Sequence, residues 1–279
     1  MDRQIRLSDY KLLVFDIDGT LQDSNHNLHP YTKAVLLKLH DARIPFTLAT
    51  GKNLPAVKPL AEILGIKLPL ILSNGCMLQT VDGIVLEKYV LPTKISDQVI
   101  AICEEGGWDL AIYLDDGIYI KKMNHNLELL IDFGSPGLIE IGDWVNIRKR
   151  LREAHKCLVV ERSSPQKVYE LEKRYEKVLG EKVEYCHTLA GMLEVMPKGV
   201  SKFRAIQRLA EMLKINMDEV MSFGDGNNDI EMLAGAGLGI ATQNGSDLAK
   251  ANANLTVASS DENGPAIFLD RLLEQLHQE

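Results

Sequence analysis

The segment Lys11-Leu-Leu-Val-Phe15 carries a short apolar run that does not alternate and that ends at a carboxylate, Asp16. A strand with one wet face alternates apolar and polar residues, so an unbroken run suits a strand covered on both faces, as in a parallel sheet. The following texture agrees. Apolar positions Ala34, Val35, Leu37 and Leu39 predict a helix over Tyr31–Ala42, and Phe46–Ala49 reads as a second strand. A helix near Leu54–Leu64 and a third strand at Pro69–Leu72 complete the alternation. Strand, helix, strand, helix, strand is the pattern of right-handed crossover units.

Beyond Gly75 the rhythm changes. Met77–Thr80 and Ile84–Tyr89 flank a turn, and Leu110–Leu114 and Ile118–Lys121 flank Asp115-Asp116-Gly117, so both read as hairpins. Helices are predicted near Ser96–Glu105, Val145–Ala154 and from Ser164-Pro165 to Leu179, with strands at Cys157–Glu161, Val183–His187 and Met192–Met196. The α/β rhythm then resumes, with a helix at Val200–Leu213, strands at Val220–Phe223, Leu238–Ala241 and Leu255–Val257, and a terminal helix from Pro265. The expected fold class is α/β, a Rossmann-like parallel-sheet core interrupted by an inserted α+β cap. The core is expected at residues 1–87 and 190–279, the cap at 88–189.

A chain of 279 residues accommodates two such units without staples. Its net charge of −8 argues against a nucleic-acid or anionic-membrane surface. Cys76, Cys103, Cys157 and Cys186 are scattered without a paired motif, which argues for reduced thiols and against zinc. No signal-like leader and no apolar run of ~18 residues is present. A cytoplasmic location is expected.

Four segments carry chemistry. Asp16-Ile-Asp18-Gly-Thr20 follows the first strand, where ligands of open α/β sheets bind. If the backbone stays extended, Asp16 and Asp18 point the same way, and carboxylates ~6 Å apart repel by roughly 2–3 kcal/mol at a dielectric near 20. That arrangement favours a cation or an anion-handling reaction, the plainer reading being a solvated turn. Gly224-Asp225-Gly226-Asn227-Asn228-Asp229 again follows an apolar strand, and its oxygen-rich side chains suit a hard cation such as Mg²⁺. Helix capping is the alternative for the same residues. Thr50 and Gly51, at a strand end and helix entrance, make a phosphate seat or a simple turn. Lys202 falls in the first turn of a helix, where a cation opposes the helix dipole and needs a nearby anion; Lys198, in the loop before it, is the rival.

In type and order these four segments resemble the motifs of the haloacid dehalogenase superfamily. The strings GVSK and GDGNNDIEML, with the insertion between Thr50 and Lys202, are similar to its Cof-type sugar-phosphatase subfamily. The resemblance implies that Asp16 is the nucleophile and Asp18 the general acid/base of a phosphatase. It implies that Mg²⁺ is held by Asp16, Asp225 and the Asp18 carbonyl, supported by Asp229. Thr50, Gly51, Lys202 and Asn228 would bind the phosphoryl group of a small phosphorylated metabolite, a sugar phosphate being the expected kind. One departure stands out: the family commonly has arginine after the Thr-Gly pair, and Lys52 stands there without the bidentate fork.

Other readings use the same residues. A phosphomutase would return the phosphoryl group to its product. A receiver-type signalling module also clusters aspartates, a threonine and a lysine, but within ~120 residues, and Asp18 opposes a long-lived phospho-aspartate. A catalytically silent binding protein would have no need of the intact acid set. His26 and His29 form a weak metal-like pair better read as a polar loop, and Gly235-Ala-Gly237-Leu-Gly239 precedes a strand and so is no dinucleotide loop. Specificity residues are expected in the cap, where the Asp115-Asp116-Gly117 turn is a candidate to reach the site. The sequence does not reveal an oligomeric state.

Overall fold

The computed structural model describes residues 5–276. The first strand, β1 (Leu12–Phe15), is fully buried. Alternate residues serve opposite faces: Leu13 and Phe15 join one apolar cluster, Leu12 and Val14 another. Helix α1 (Pro30–Asp41) leads to β2 (Phe46–Leu48), and α2 (Leu54–Ile63) to β3 (Leu70–Leu72). The chain then forms β4 (Met77–Gln79) and β5 (Val85–Lys88), an antiparallel extension of β3.

The next stretch builds a second sheet. It contains α3 (Thr93–Gly106), β6 (Asp109–Leu114), β7 (Gly117–Ile120), α4 (His125–Asp132), β8 (Leu138–Glu140), β9 (Lys156–Val160), α5 (Lys167–Leu179), β10 (Val183–Cys186) and β11 (Met192–Pro197). Its strand order is β10-β11-β9-β6-β7-β8, antiparallel except between β7 and β8. The chain returns through α6 (Lys202–Leu213), β12 (Val220–Gly224), α7 (Ile230–Gly235), β13 (Leu238–Thr242), α8 (Asp247–Asn252), β14 (Leu255–Val257) and α9 (Gly264–Leu276).

The core sheet is parallel, in the order β14-β13-β12-β1-β2, and a bridge from Ala49 to Ile71 adds β3 at its edge. Residues of α1, α2 and α9 pack on one face and residues of α6 and α7 on the other. This is the expected α/β architecture, and its chemistry-bearing loops leave the carboxyl ends of β1, β2 and β12.

Several expectations need correction. The strand Met192–Pro197, expected in the core from residue 190, pairs with β9 and β10 in the second sheet; we propose that the core resumes near Pro197. The segment Trp144–Glu153 winds as 3₁₀ turns, not as the α-helix expected over Val145–Ala154. Helix α5 begins at Lys167, past the Ser164-Pro165 pair expected to cap it. Helix α4 and strand β8 were not anticipated. The helix had a readable signal, since the Asn124 side chain accepts from Leu127 N–H as a cap. The strand had little, being three residues at a sheet edge. The two passages between core and insertion run close together, for Tyr89 and Gly199 border one shallow pocket.

Candidate active site

Asp16 sits one residue beyond β1, and its N–H still bonds to Phe223 of β12 at 2.9 Å. That ladder bond aims its carboxylate into the gap between the ends of β1 and β12. There the carboxylate oxygens of Asp16, Asp225 and Asp229 lie within 4.8 Å of one another. Ser201 caps α6 by accepting from Arg204 N–H, which fixes Lys202 at the start of the helix. The Lys202 ammonium donates to Asp16 at 2.5 Å and to Asp229 at 2.7 Å, and its side chain is fully buried. The structure thus separates the two rival lysines: Lys198 is exposed and pairs with Glu184 at 3.3 Å.

The other Asp229 oxygen accepts the backbone N–H groups of Asp225 and Gly226 at 2.9 and 2.8 Å. Asp225 accepts from the Thr20 hydroxyl at 3.0 Å. Gly19, at φ +76°, passes so close that an added Cβ would lie 2.4 Å from an Asp225 oxygen. The helix-capping alternative and the cation reading therefore coexist in one loop: Asp229 organises it, and Asp225 is left to face the centre.

The electrostatics are unbalanced. Three carboxyl groups face one ammonium, so full ionisation would leave an excess of two negative charges around groups of which Asp16, Asp229 and Lys202 are buried. Burial, opposed in part by Lys202 and reinforced by the neighbouring aspartates, raises the Asp16 carboxyl well above the usual range. Burial and then Asp229 push Asp225 up to about 7. Burial alone would lower Lys202, but Asp16 and Asp229 hold its ammonium above the ordinary lysine range. A dication with a preference for oxygen ligands matches both the donor set and the missing charge. Asp16, Asp225 and Asp229 therefore fit magnesium.

Asp18 does not join this cluster. The strand stops at Phe15, and the Asp18 carboxylate pairs with Lys52 at 2.6 Å and His26 at 3.0 Å. Lys52 thus has a partner inside the protein. His29 caps α1, accepting from Tyr31 N–H, and leaves His26 without the histidine partner a metal pair would need. Thr50 is buried, its hydroxyl accepting from Lys52 N–H at 3.2 Å, and Gly51 adjoins it. Asn228 donates to Asn74 at 3.0 Å. Asp18, Thr50, Gly51 and Asn228 border one cavity of about 120 Å³ with Asp16 and Asp225. Lys202 reaches it only through Asp16. The Asp115-Asp116-Gly117 turn stays away, held by Lys88 and by Arg150 with Tyr119.

Three participants went unread. Asn74 follows β3 in the left-handed region, as do its neighbours Ser73 and Gly75. Its amide donates to Glu194 at 2.6 Å. Glu194 pairs at 3.0 Å with Lys156, and that ammonium reaches the Gly51 carbonyl at 2.8 Å. Both charges are buried and both belong to strands of the second sheet. The strand-end rule that flagged Asp16 and Thr50 also applied to Ser73-Asn74-Gly75; Lys156 and Glu194 had no local signal, their meaning depending on which face of the sheet they occupy.

Against known proteins, the model of the haloacid dehalogenase-like hydrolases matches residues 13–269. The chain belongs to that family. Among curated relatives, HMP-PP phosphatase of Yersinia pestis (strain Pestoides F) is 29% identical over 236 residues, 84% of each chain. A haloacid dehalogenase-like hydrolase from Bacteroides thetaiotaomicron superposes with a TM-score of 0.85 at 24% identity, covering 94% of this chain and 99% of its own. A HAD subclass IIB sugar phosphatase superposes at 0.80, also at 24% identity, covering 94% and 98%. These solved structures share the core and cap. The expectation of a phosphatase of this family agrees with the names of two of these relatives, the third being named only as a hydrolase. No helix among the described residues is long and apolar enough to cross a membrane.

Proposed function

We propose that this hydrolase is a magnesium-dependent phosphatase of small phosphorylated metabolites that works through an aspartyl-phosphate at Asp16. The observation that carries the reading is the cluster of Asp16, Asp225 and Asp229 around one buried ammonium, opening on the cavity that Asp18 borders.

The Asp16 carboxylate attacks phosphorus while the bond from phosphorus to the substrate's alcohol oxygen breaks. Asp18 gives that oxygen its proton and so releases a neutral alcohol. Asp18 then takes a proton from water as the water oxygen attacks the aspartyl-phosphate, freeing inorganic phosphate and restoring both carboxyl groups. Lys202 holds Asp16 in line and offsets negative charge beside it, and the Thr50 hydroxyl and the Gly51 backbone amide would donate to the phosphoryl oxygens, the Thr50 amide being engaged with Ile71. Magnesium, held by Asp16, Asp225 and the Asp18 carbonyl with Asp229 in support, would offset the repulsion between nucleophile and phosphate. Asp18 supports hydrolysis over a stable phospho-aspartate signal, because it offers a base to the attacking water.

The test is phosphate release from phosphorylated sugars, nucleotides and cofactors with and without Mg²⁺, beside Asp16→Asn. Metal-dependent release that disappears in the variant is expected. Turnover retained by Asp16→Asn would mean a different nucleophile. Isomerised product without free phosphate would favour the phosphomutase. Cytoplasmic location remains part of this proposal, as does the absence of nucleic-acid and membrane partners.

A further inference from the structure

Strand β3 ends in a strained turn. Ser73, Asn74 and Gly75 follow one another in the left-handed region, at φ +50°, +55° and +93°, and Cys76 N–H closes the turn on the Ser73 carbonyl at 3.2 Å. Glycine adopts this conformation freely, whereas serine and asparagine do so at a cost that the surroundings must offset. Part of the offset comes from the backbone. Ser73 N–H donates to the Lys52 carbonyl and Asn74 N–H to the Thr50 carbonyl, both at 2.9 Å, so the turn is fastened to the loop that carries Thr50 and Gly51.

A glycine at position 74 would keep those backbone bonds without strain, so the asparagine side chain must do something a glycine cannot. It is 2% exposed, and both of its ends are used. Its nitrogen donates to Glu194 at 2.6 Å, and its oxygen accepts from the Asn228 side chain at 3.0 Å. The direction of the amide is not free. Glu194, paired with the Lys156 ammonium at 3.0 Å, offers only acceptor oxygens, so the nitrogen of Asn74 must face it. The oxygen of Asn74 is then left for Asn228, which must present its own nitrogen. Flipping either amide would set oxygen against oxygen. The hydrogen bonds therefore run one way, from Asn228 through Asn74 to Glu194, and the charge pair on the second sheet sets the direction.

We infer that Asn74 is a positioning residue of the phosphatase, holding the Asn228 amide so that one N–H is engaged behind the site and the other is left for a phosphoryl oxygen. This rests on the phosphatase reading above and adds to it a residue that acts only through Asn228. Asn228 borders the cavity with Asp16 and Asp18, whereas Asn74 lies outside its lining. The left-handed backbone aims the Asn74 side chain between its two partners. The phosphoryl end of the core thereby takes its orientation from a charge pair buried in the opposite sheet.

The test is a double-mutant cycle on the full chain with Mg²⁺, read as kcat/KM for p-nitrophenyl phosphate and as the inhibition constant of inorganic phosphate. Asn74→Gly accepts the left-handed backbone and deletes the relay; it should lower kcat/KM about tenfold and weaken phosphate inhibition by a similar factor. Asn228→Ala should lower both at least as much. Adding Asn74→Gly to Asn228→Ala should then change neither by more than about twofold, because the group through which Asn74 acts is gone. A role in folding alone would give the same loss in both backgrounds. The inhibition constant does not depend on the active fraction, so it decides even where a variant folds incompletely, and Asn74→Ala repeats the deletion with a Cβ in place. Unchanged phosphate inhibition in Asn74→Gly, equal losses in the two backgrounds, or no effect of Asn228→Ala overturns the inference, while turnover by the unaltered protein leaves the phosphatase reading standing. No metal-dependent hydrolysis of p-nitrophenyl phosphate or acetyl phosphate by the unaltered protein overturns that reading and the inference with it.

Discussion

The acidic centre of the core and the cap wall opposite handle buried charge in opposite ways. At the core, Asp16, Asp225 and Asp229 outnumber Lys202, and burial of Asp16, Asp229 and Lys202 makes their full ionisation costly without a further cation. On the cap, Lys156 and Glu194 match one for one and are closed by further hydrogen bonds to Gly51 and Asn74. An incomplete charge set calls for something from solution, whereas a complete one only holds protein together. The difference separates a reacting surface from a shaping one.

The comparison breaks most sharply at Asp16. Asp16→Asn keeps the shape and removes the attacking oxygen, so kcat should fall by about 10⁴-fold or more in steady-state phosphate release. A matched pair behaves differently. Lys156→Met strands Glu194 and should cost about 3–5 kcal/mol in urea unfolding, whereas the double replacement Lys156→Met with Glu194→Leu should recover most of that loss. Equal losses in the single and double variants would remove the distinction drawn between the two regions.

Magnesium sharpens it further. A hundredfold excess over its dissociation constant should stabilise the protein by about 2.7 kcal/mol in thermal unfolding, and Asp225→Asn should abolish most of that shift. The sign with pH follows from Asp225, whose folded-state pKa of about 7 lies above its ordinary value of 3.8. Without metal, the folded protein binds the extra proton between those values. Its stability is therefore full below about pH 4 as far as this group is concerned, and falls as pH rises through 7. The stabilisation by magnesium should accordingly be greater at pH 7.5 than at pH 5.5, and the reverse order would contradict the charge imbalance. The smallest effect is local: Ser201→Ala removes the cap that begins α6 and should cost about 1 kcal/mol, read by chemical denaturation.

The same contrast explains what the sequence made readable. Asp16, Thr50 and Asp225 each follow an apolar strand, so a short stretch announces both the element and the position of the side chain at its end. Lys202 was legible because a cation at a helix start needs an anion, and the anions were already in view. Asp18 borders the same cavity as Asp16, as expected of residues one apart at a strand end, whereas its ion pairs with Lys52 and His26 depend on loops whose placement no local stretch announces. On the cap, Lys156 and Glu194 stand in β-rich segments that look like any others. Their role depends on a register between β9, β6 and β11 that only long-range pairing sets. Helix α4 was missed for a milder reason: eight residues with two buried leucines give a weak period.

The proximity of Tyr89 and Gly199 has a consequence for how such a molecule can change over generations. An insert whose two ends leave its host side by side can be exchanged whole, because a replacement need only supply a pair of neighbouring ends. The parallel sheet and its carboxylates would stay in place, and ties such as those of Lys156 to Gly51 and of Glu194 to Asn74 would have to be remade for a new diet of substrate.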